Sequence, residues 1–453
     1  MDGCRNRFAI LIIEKGFDNM KGSIIKAVYA RQVMGRGYPS ICAFVETENG
    51  SVGMAGCTAG VSIGSHEIPF SYDGGTKWKG LGVMKAVNQV NDVIAPALIG
   101  LDAADQFLVD HTMLALRTPE GQRMGGNATA AVSAAALKAG AKALGIPLYR
   151  HIGGSDAVTL PCAAWGAAAG SNRYDVKHSA GAKPSYAFLA HDFNTFSDAS
   201  YALWETVRVW QDFMQRKYGL SASASTPAAT SAGFVYVPPK IVDNEFQLYE
   251  MLNEAISKAG YEGRIGLQVD LAADCFFNRE IGLYENLFMK GTHTRDEIIE
   301  YTKRMANEFN FVSIEDPLNE DDYEGHAMIT KAIDIQVVGD DLFTTNVDRV
   351  ATGIRAGAAT NVLLKVNQIG TITEALEMIQ LAYENGYGVM PCSSRGEGLD
   401  ICDYSVGINA GTIRESCLGS SGRRFLEIEK ELGSNAVFAG TRGIKGRRFQ
   451  KEV

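Results

Sequence analysis

Four segments in the C-terminal half of this 453-residue chain share one form, a short apolar strand that ends in a charged residue. They read IGLQVD, FVSIEDP, IQVVGDD and NVLLKVN, and their charged ends are Asp270, Glu315, Asp340 and Lys365. These residues are 45, 25 and 25 positions apart, with helical patterns between them. A repeated strand–helix unit predicts a parallel α/β fold, in which the carboxyl ends of the strands meet at one edge.

A fifth strand, GVMPCSS, brings Ser393 to the same kind of position. Five consecutive strands with polar carboxyl ends favour a (β/α) barrel, whose catalytic groups gather on that face. A doubly wound open sheet is the alternative, but no G-x-G-x-x-G or G-x-x-x-x-G-K-[ST] loop follows any strand. Segments 166–183 and 221–235 are rich in Gly, Ala and Ser, and they are predicted to be long loops.

The N-terminal third has a different pattern. Residues 22–48 contain two β-type runs separated by a turn at 35–39, whereas 80–98 and 127–144 have helical spacing. The pattern predicts an α+β unit with its strands first and its helices after. The predicted domains are therefore an N-terminal extension at 1–20, an α+β domain at 21–150 and a barrel domain at 151–453.

Composition narrows the class of protein. Hydrophobic residues make up 46% of the chain and charged residues 21%, which is ordinary for a globular protein. The net charge of −9 argues against nonspecific binding of nucleic acid. Eight cysteines without C-x-x-C pairs or zinc spacing predict reduced thiols, and the apolar run at 8–13 is too short to span a membrane. We therefore expect a cytoplasmic protein with no nucleic-acid or membrane partner.

The charged strand ends predict a metal site. Carboxylate oxygens such as those of Asp270, Glu315 and Asp340 are the ligands that Mg²⁺ prefers. A lysine beside the cation loses its proton more easily, so Lys365 is the candidate base. Together they could remove the proton next to a substrate carboxylate through an ene-diolate intermediate. Each carboxylate taken alone could instead cap the helix that follows it.

The segments SIEDPLNEDDY (313–323), GDDLFTTN (339–346) and LLKVNQIGT (363–371) resemble the enolase family, and the similarity extends from about residue 22 to 440. This resemblance implies an N-terminal α+β capping domain followed by a modified, TIM-like (β/α) barrel. It also implies Mg²⁺ on the three carboxylates, Lys365 as the base and a small anionic carboxylate substrate. A homodimer or higher homo-oligomer is implied as well.

The substrate-binding positions depart from the family. Ser62 stands where the family has a loop serine that helps to bind a second Mg²⁺. The family's phosphate-binding run of His, Arg and Ser is replaced by Ser393, Ser394 and Arg395. Arg414 takes the place of a lysine that meets the substrate carboxylate.

The general acid is also missing. The family's G-D-E-G-G segment corresponds to ATSAGFVYVPP (229–239), which contains no carboxylate. His178 is the candidate replacement, with His191 as an alternative, and His178 is also the candidate second base if the reaction were a racemisation. Asp192 is matched to a glutamate of the family, which predicts a contact with the substrate.

Three functions follow from this pattern. The first is a Mg²⁺-dependent lyase acting on an anionic substrate modified relative to 2-phosphoglycerate, because the ligands and base are kept while the acid and phosphate clamp are replaced. The second is phosphopyruvate hydratase itself, the glycolytic conversion of 2-phosphoglycerate to phosphoenolpyruvate. The third is a non-catalytic, enolase-like binding protein, which would hold Mg²⁺ without turnover.

Overall fold

The computed structural model describes residues 22–35, 37–60, 63–170, 174, 183–222, 234–392, 395–414 and 419–450. Its first domain contains three strands followed by four helices. The strands are β1 (Ile25–Gly35), β2 (Tyr38–Thr47) and β3 (Val52–Cys57), and the helices are α1 (Met84–Asn88), α2 (Ala95–Leu98), α3 (Gln106–Ala115) and α4 (Gly126–Leu144).

The three strands form one antiparallel sheet in the order β1-β2-β3, with Gly35 opposite Tyr38 at the first turn. The alanine-rich α4 packs directly on this sheet. A Cβ atom at Gly53 of β3 would lie 1.9 Å from the carbonyl oxygen of Ala135, so the helix backbone comes closer than any larger side chain would allow. The predicted α+β unit is confirmed, and β3 is an addition that the sequence pattern had not singled out.

The second domain holds the remaining elements. In chain order they are α5 (Leu148–Gly153), β4 (Thr159–Leu160), β5 (Ala163–Ala169), β6 (Ser185–Ala190), α6 (Phe196–Tyr218), β7 (Val235–Tyr236), α7 (Glu245–Ala259), β8 (Ile265–Asp270), β9 (Phe277–Asn278), β10 (Leu283–Glu285), β11 (Thr292–His293), α8 (Arg295–Glu308), β12 (Phe311–Glu315), α9 (Tyr323–Ala332), β13 (Gln336–Gly339), α10 (Val347–Ala356), β14 (Asn361–Leu364), α11 (Val366–Ile369), α12 (Ile372–Glu384), β15 (Gly388–Pro391), α13 (Asp400–Gly407), α14 (Gly419–Leu432) and β16 (Val437–Phe438).

The main sheet of this domain has the strand order β15-β14-β13-β12-β8-β6-β5-β7. Residues Thr412 and Arg414 bridge Cys162, just before β5, and Cys392, just after β15, and thereby close the sheet into a barrel. Within this sheet the neighbouring strands β8, β12, β13, β14 and β15 are parallel, so their carboxyl ends share one rim. The predicted (β/α) barrel is confirmed.

One barrel strand runs against the others. β6 is antiparallel to β8, with Ser185 opposite Asp270 and Ala190 opposite Ile265. The beginning of β6, rather than its end, therefore lies at the rim of carboxyl ends. β5 contradicts part of the predicted loop at 166–183, because its small residues pack inside the barrel, where every residue of β5 except Trp165 is buried.

Taken singly, the helices that the structure describes differ in length or hydropathy from membrane-spanning helices. Among the described residues, no single helix is long and apolar enough to cross a bilayer. Only α4 taken together with the following segment Leu148–Asp156 reaches that length and hydropathy, and this pair is bent by 96°.

A fully buried histidine in α9 should make stability depend on pH. Nδ1 of His326 lies 2.9 Å from the carbonyl oxygen of Asp322, and burial lowers the histidine pKa to about 4. The unfolded chain takes up this proton near pH 6.5, so the native state loses stability as the pH falls from 6.5 to 4. We expect this histidine alone to remove about 2 kcal/mol of the free energy of unfolding between pH 7 and pH 5.

Urea unfolding of the wild type and of His326→Gln at these two pH values measures the difference, which should be smaller in the variant. His111 is a matched control, because it is exposed and its Nδ1 makes the same contact, 3.0 Å from the carbonyl oxygen of Phe107. An equal loss of pH dependence in His326→Gln and His111→Gln would contradict the assignment.

Candidate active site

Three carboxylates stand side by side at the rim of the barrel. Asp270 ends β8, Glu315 ends β12 and lies opposite Asp270 in the strand register, and Asp340 follows β13. They are only 1%, 2% and 3% exposed. The structure therefore brings the three predicted ligands together, as the common direction of these strands requires.

Asp316 is a fourth carboxylate in this cluster and was not predicted. Its two carboxylate oxygens accept the backbone N–H groups of Asp340 (2.9 Å) and Asp341 (2.7 Å). Burial and the nearby charge of Asp340 raise the pKa of Asp316. Asp316 thus fixes the backbone that carries Asp340. The signal was present in the Glu-Asp pair of FVSIEDP, where only the first acid was considered.

Lys365 follows β14, and its ammonium group contacts the Asp340 carboxylate. The lysine is 4% exposed. Burial has the largest single effect and lowers its pKa, but the charge of Asp340 together with other negative groups, Glu315 among them, raises the pKa overall. Burial would likewise raise the pKa of Asp340, which Lys365 instead holds at about 2. The pair is therefore an ammonium and a carboxylate, and the basicity of Lys365 depends on what shares the Asp340 charge.

Arg414 lies inside the cluster. Its Nη2 is 2.9 Å from Asp270 Oδ2 and donates to the hydroxyl of Ser185 at 2.7 Å, while its Nε is 3.0 Å from Glu315 Oε2. The closing strand of the barrel carries this residue, which explains how a residue so late in the chain reaches the site. Arg414 thus lies among the predicted metal ligands, and its contact with the substrate carboxylate stays a prediction.

Lys183 also reaches the cluster and was missed by the sequence analysis. It lies two residues before β6, and its ammonium group contacts Asp270 Oδ2. Because β6 is antiparallel, this position is at the same rim as the carboxylates. The local pattern did not indicate this position, since Lys183 falls at the end of the stretch 166–183 that was predicted to be a loop.

Arg395 was predicted to bind substrate, but the structure pairs it with the capping domain. Its guanidinium Nη1 donates to Glu67 Oε2 at 2.6 Å, and its Nη2 contacts the other oxygen of the same carboxylate. The two side chains are 1% and 4% exposed. Burial lowers the pKa of Arg395, but Glu67 outweighs burial and holds it above its usual value.

The segment around Glu67 extends from the capping domain onto the barrel rim. The hydroxyl of Ser65 donates to Glu320 at 2.6 Å, and His66 Nε2 lies 2.8 Å from Asp321 Oδ1. Gly64 packs against Asp341, whose Oδ1 atom would be 3.0 Å from a Cβ at that position. The capping domain therefore covers one side of the carboxylate cluster.

The structure places Asp192 and His191 away from the carboxylate cluster, contrary to the prediction. Both follow the end of β6, where the backbone N–H of His191 donates to the carbonyl of Arg264 just before β8. Because β6 is antiparallel, this is the opposite end of the barrel from Asp270. The predicted contact of Asp192 with the substrate and the alternative role of His191 as the acid are therefore wrong.

Four other predicted residues, Ser62, His178, Ser393 and Ser394, lie outside the described residues.

The donor set fits a hard divalent cation. Carboxylate oxygens of Glu315, Asp316 and Asp340 lie within 4.8 Å of one another, and oxygen is the donor type that Mg²⁺ prefers. Asp270 adjoins this group through Arg414, which contacts Asp270 and Glu315 together. Such a concentration of buried negative charge needs positive charge nearby, which lysine and arginine side chains supply in this structure.

Comparison with known proteins agrees with this architecture. The family model "Enolase, N-terminal domain" matches residues 25–152, and "Enolase, C-terminal TIM barrel domain" matches residues 186–447. A protein named "Enolase" from Methanopyrus kandleri is 39% identical over 433 residues, which cover 91% of this chain and 97% of the relative. Relatives of the same name from Bifidobacterium adolescentis and Methanocaldococcus jannaschii are each 38% identical over 93% and 90% of this chain, and over 98% and 96% of their own lengths.

Both domains are matched, and the relatives align over almost their full length with this chain. The resemblance inferred from the strand-end motifs is confirmed, and so is the assignment to a class of carbon–oxygen lyases. The chain belongs to the enolase family.

Proposed function

We propose that this protein removes the proton next to the carboxylate of a small anionic substrate, with Lys365 as the base. Asp270, Glu315 and Asp340 would hold Mg²⁺, and Asp316 would position Asp340. The observation that carries the proposal is the buried contact between the Lys365 ammonium and Asp340 beside two further carboxylates.

Each described residue has a role in this chemistry. Bound Mg²⁺ would supply positive charge beside the substrate carboxylate, and by sharing the Asp340 charge it would lower the pKa of Lys365. Lys365, once it has passed its own proton to solvent, would take up the α-proton of the substrate while the electron pair of the broken C–H bond moves toward the substrate carboxylate. The Arg414 guanidinium is held by Asp270 and Glu315, and it could bind the substrate carboxylate through two nitrogens once Mg²⁺ takes those two ligands.

We further propose that the substrate is modified relative to 2-phosphoglycerate. The phosphate-binding His and Arg of the family are replaced by Ser393 and Ser394 in the sequence, and Arg395 is occupied by Glu67. No carboxylate lies in 229–239 to protonate a departing hydroxide. Protonation of a leaving group typically contributes about 10²–10⁴-fold to the rate, so a better leaving group would relieve that need.

Phosphopyruvate hydratase is the second candidate function. It is favoured by relatives named "Enolase" that are 38–39% identical over at least 90% of this chain. This function requires that another group replaces the missing glutamate. We also propose a cytoplasmic homodimer, following the resemblance and the cysteine usage, and light scattering of the purified protein would measure its mass.

Proton NMR of 2-phosphoglycerate with the protein and Mg²⁺ in D₂O separates these candidates, since it reports α-proton exchange and phosphoenolpyruvate in one sample. We expect exchange with little or no product, and loss of exchange after chelation of the metal. Exchange with rapid product would establish the hydratase and contradict the modified substrate. Absence of both, with Mg²⁺ still bound, would contradict proton abstraction from this substrate and favour a binding protein.

A further inference from the structure

Two lysines flank the carboxylates from opposite sides. The strand order β14-β13-β12-β8-β6 places the three carboxylate-bearing strands in the middle. Lys365 follows β14 at one side and contacts Asp340, whereas Lys183 precedes β6 at the other side and contacts Asp270. The proposed reaction uses only the first of these lysines.

Among the basic side chains that the structure describes at these carboxylates, Lys183 is more exposed than Lys365 and Arg414. Its side chain is 14% exposed, compared with 4% for Lys365 and 6% for Arg414. Arg414 is further held by contacts with Asp270, Glu315 and Ser185. A divalent cation that takes Asp270 as a ligand competes directly with the Lys183 ammonium, because both need the same carboxylate oxygens.

The site also needs a cation for the part of the substrate remote from its carboxylate. The family's phosphate-binding His and Arg are replaced by serines at 393 and 394, and both terminal nitrogens of Arg395 face Glu67. Lys183 lies at the rim on the side away from Lys365, and its flexible stem can carry the ammonium group to a new anionic partner.

We propose that Lys183 is a substrate-binding residue, which neutralises Asp270 until Mg²⁺ takes that carboxylate and then binds the anionic group of the substrate on the side opposite Lys365. This inference rests on the proposed function for its substrate, but its effect on the metal can be measured without any substrate.

Titration calorimetry with Mg²⁺ alone tests the first part. Lys183→Met removes the competing ammonium and should bind Mg²⁺ roughly tenfold more tightly than the wild type, as expected for loss of one charge-assisted contact. Lys138→Met is the matched control, because Lys138 is 18% exposed and pairs with Asp400 away from the cluster. Unchanged or weaker Mg²⁺ binding by Lys183→Met would overturn the inference.

Binding of 2-phosphoglycerate and of glycerate to the Mg²⁺-loaded protein tests the second part. Lys183→Met should lose at least about tenfold in affinity for 2-phosphoglycerate but little for glycerate, which lacks the phosphate. Lys183→Arg keeps the positive charge and should therefore retain most of the affinity for 2-phosphoglycerate. If Lys183 only supported the structure, affinity would not follow the charge at this position. Equal losses for both ligands, or no loss, would overturn the substrate role.

The two parts fail separately from the proposed function. If the wild type binds 2-phosphoglycerate without exchanging its α-proton, the function of Lys365 is contradicted while the comparison of the two ligands still decides the role of Lys183. If the wild type binds neither ligand, the substrate role of Lys183 is overturned, and the magnesium titration still decides whether it competes for Asp270.

Discussion

Replacing Lys365 with Met should slow exchange of the substrate α-proton by about 10³-fold or more, because this removes the amine that we assign as the base. Methionine has nearly the length of lysine and fills the same buried space without a charge. Binding of Mg²⁺ should persist, because Asp340 keeps its carboxylate. The backbone N–H of Asp340 also still donates to the Asp316 carboxylate at 2.9 Å. The measurement is proton NMR in D₂O, with Mg²⁺ affinity from calorimetry.

Lys138→Met serves as the control in this experiment also, because it removes a partly buried lysine whose partner is Asp400. It should exchange the α-proton at the rate of the wild type. If Lys365→Met retained exchange within a few-fold of the wild type, the base would be another group, and the contact with Asp340 would have only a structural role. Loss of both exchange and Mg²⁺ binding would instead indicate that the site had collapsed.

The strand ends explain why much of this site could be predicted from the sequence. In parallel strands, the last residue of each strand lies at the same rim, so Asp270, Glu315 and Asp340 had to be neighbours once the strand–helix repeat was recognised. Lys365 follows by the same rule. The barrel itself was predictable for the same reason, since each unit carries its own apolar strand and amphipathic helix.

The predictions were wrong where they depended on the direction of a strand or on a partner far away in the sequence. Asp192 was assigned to the site because it was matched to a glutamate of the family, but β6 runs antiparallel and carries it to the other end of the barrel. The same reversal brings Lys183 to the site from the beginning of a strand. Neither outcome follows from local pattern, because a short, fully buried strand such as β6 is apolar whichever way the chain runs.

Arg395 illustrates a different limit. The sequence showed that an arginine had replaced a serine of the family, and a free substrate-binding cation was the natural interpretation. Its partner Glu67 is 328 positions away and belongs to the other domain. Only the packing of the capping domain on the barrel reveals that the guanidinium is neutralised.

Breaking this interdomain pair should be costly. Arg395→Met leaves the Glu67 carboxylate, 4% exposed, without its main partner, and removal of one member of a buried pair typically costs about 3–5 kcal/mol. Glu67→Gln should also destabilise, because the Arg395 charge then remains buried. The measurement is the free energy of unfolding in urea at neutral pH.

The double variant Glu67→Gln with Arg395→Met distinguishes a buried pair from two unrelated contacts. With neither charge present, it should be more stable than the sum of the single effects predicts, by about 0.5–3 kcal/mol, the range measured for residues in contact. Arg216→Met provides the comparison for an exposed pair, since Arg216 and Asp212 are 82% and 65% exposed and their separation should cost less than about 1 kcal/mol.

The same variants test whether this pair positions the capping segment over the site. Ser65 and His66 contact the barrel rim immediately before Glu67, so release of Glu67 should loosen those contacts and expose the segment to cleavage by a protease. The pair would not hold the capping segment in solution if each single variant lowered the free energy of unfolding by less than about 1 kcal/mol. Additive effects in the double variant and unchanged cleavage would lead to the same conclusion. In that case Arg395 would be available to an anionic substrate, and the argument for a modified substrate would lose one of its three supports.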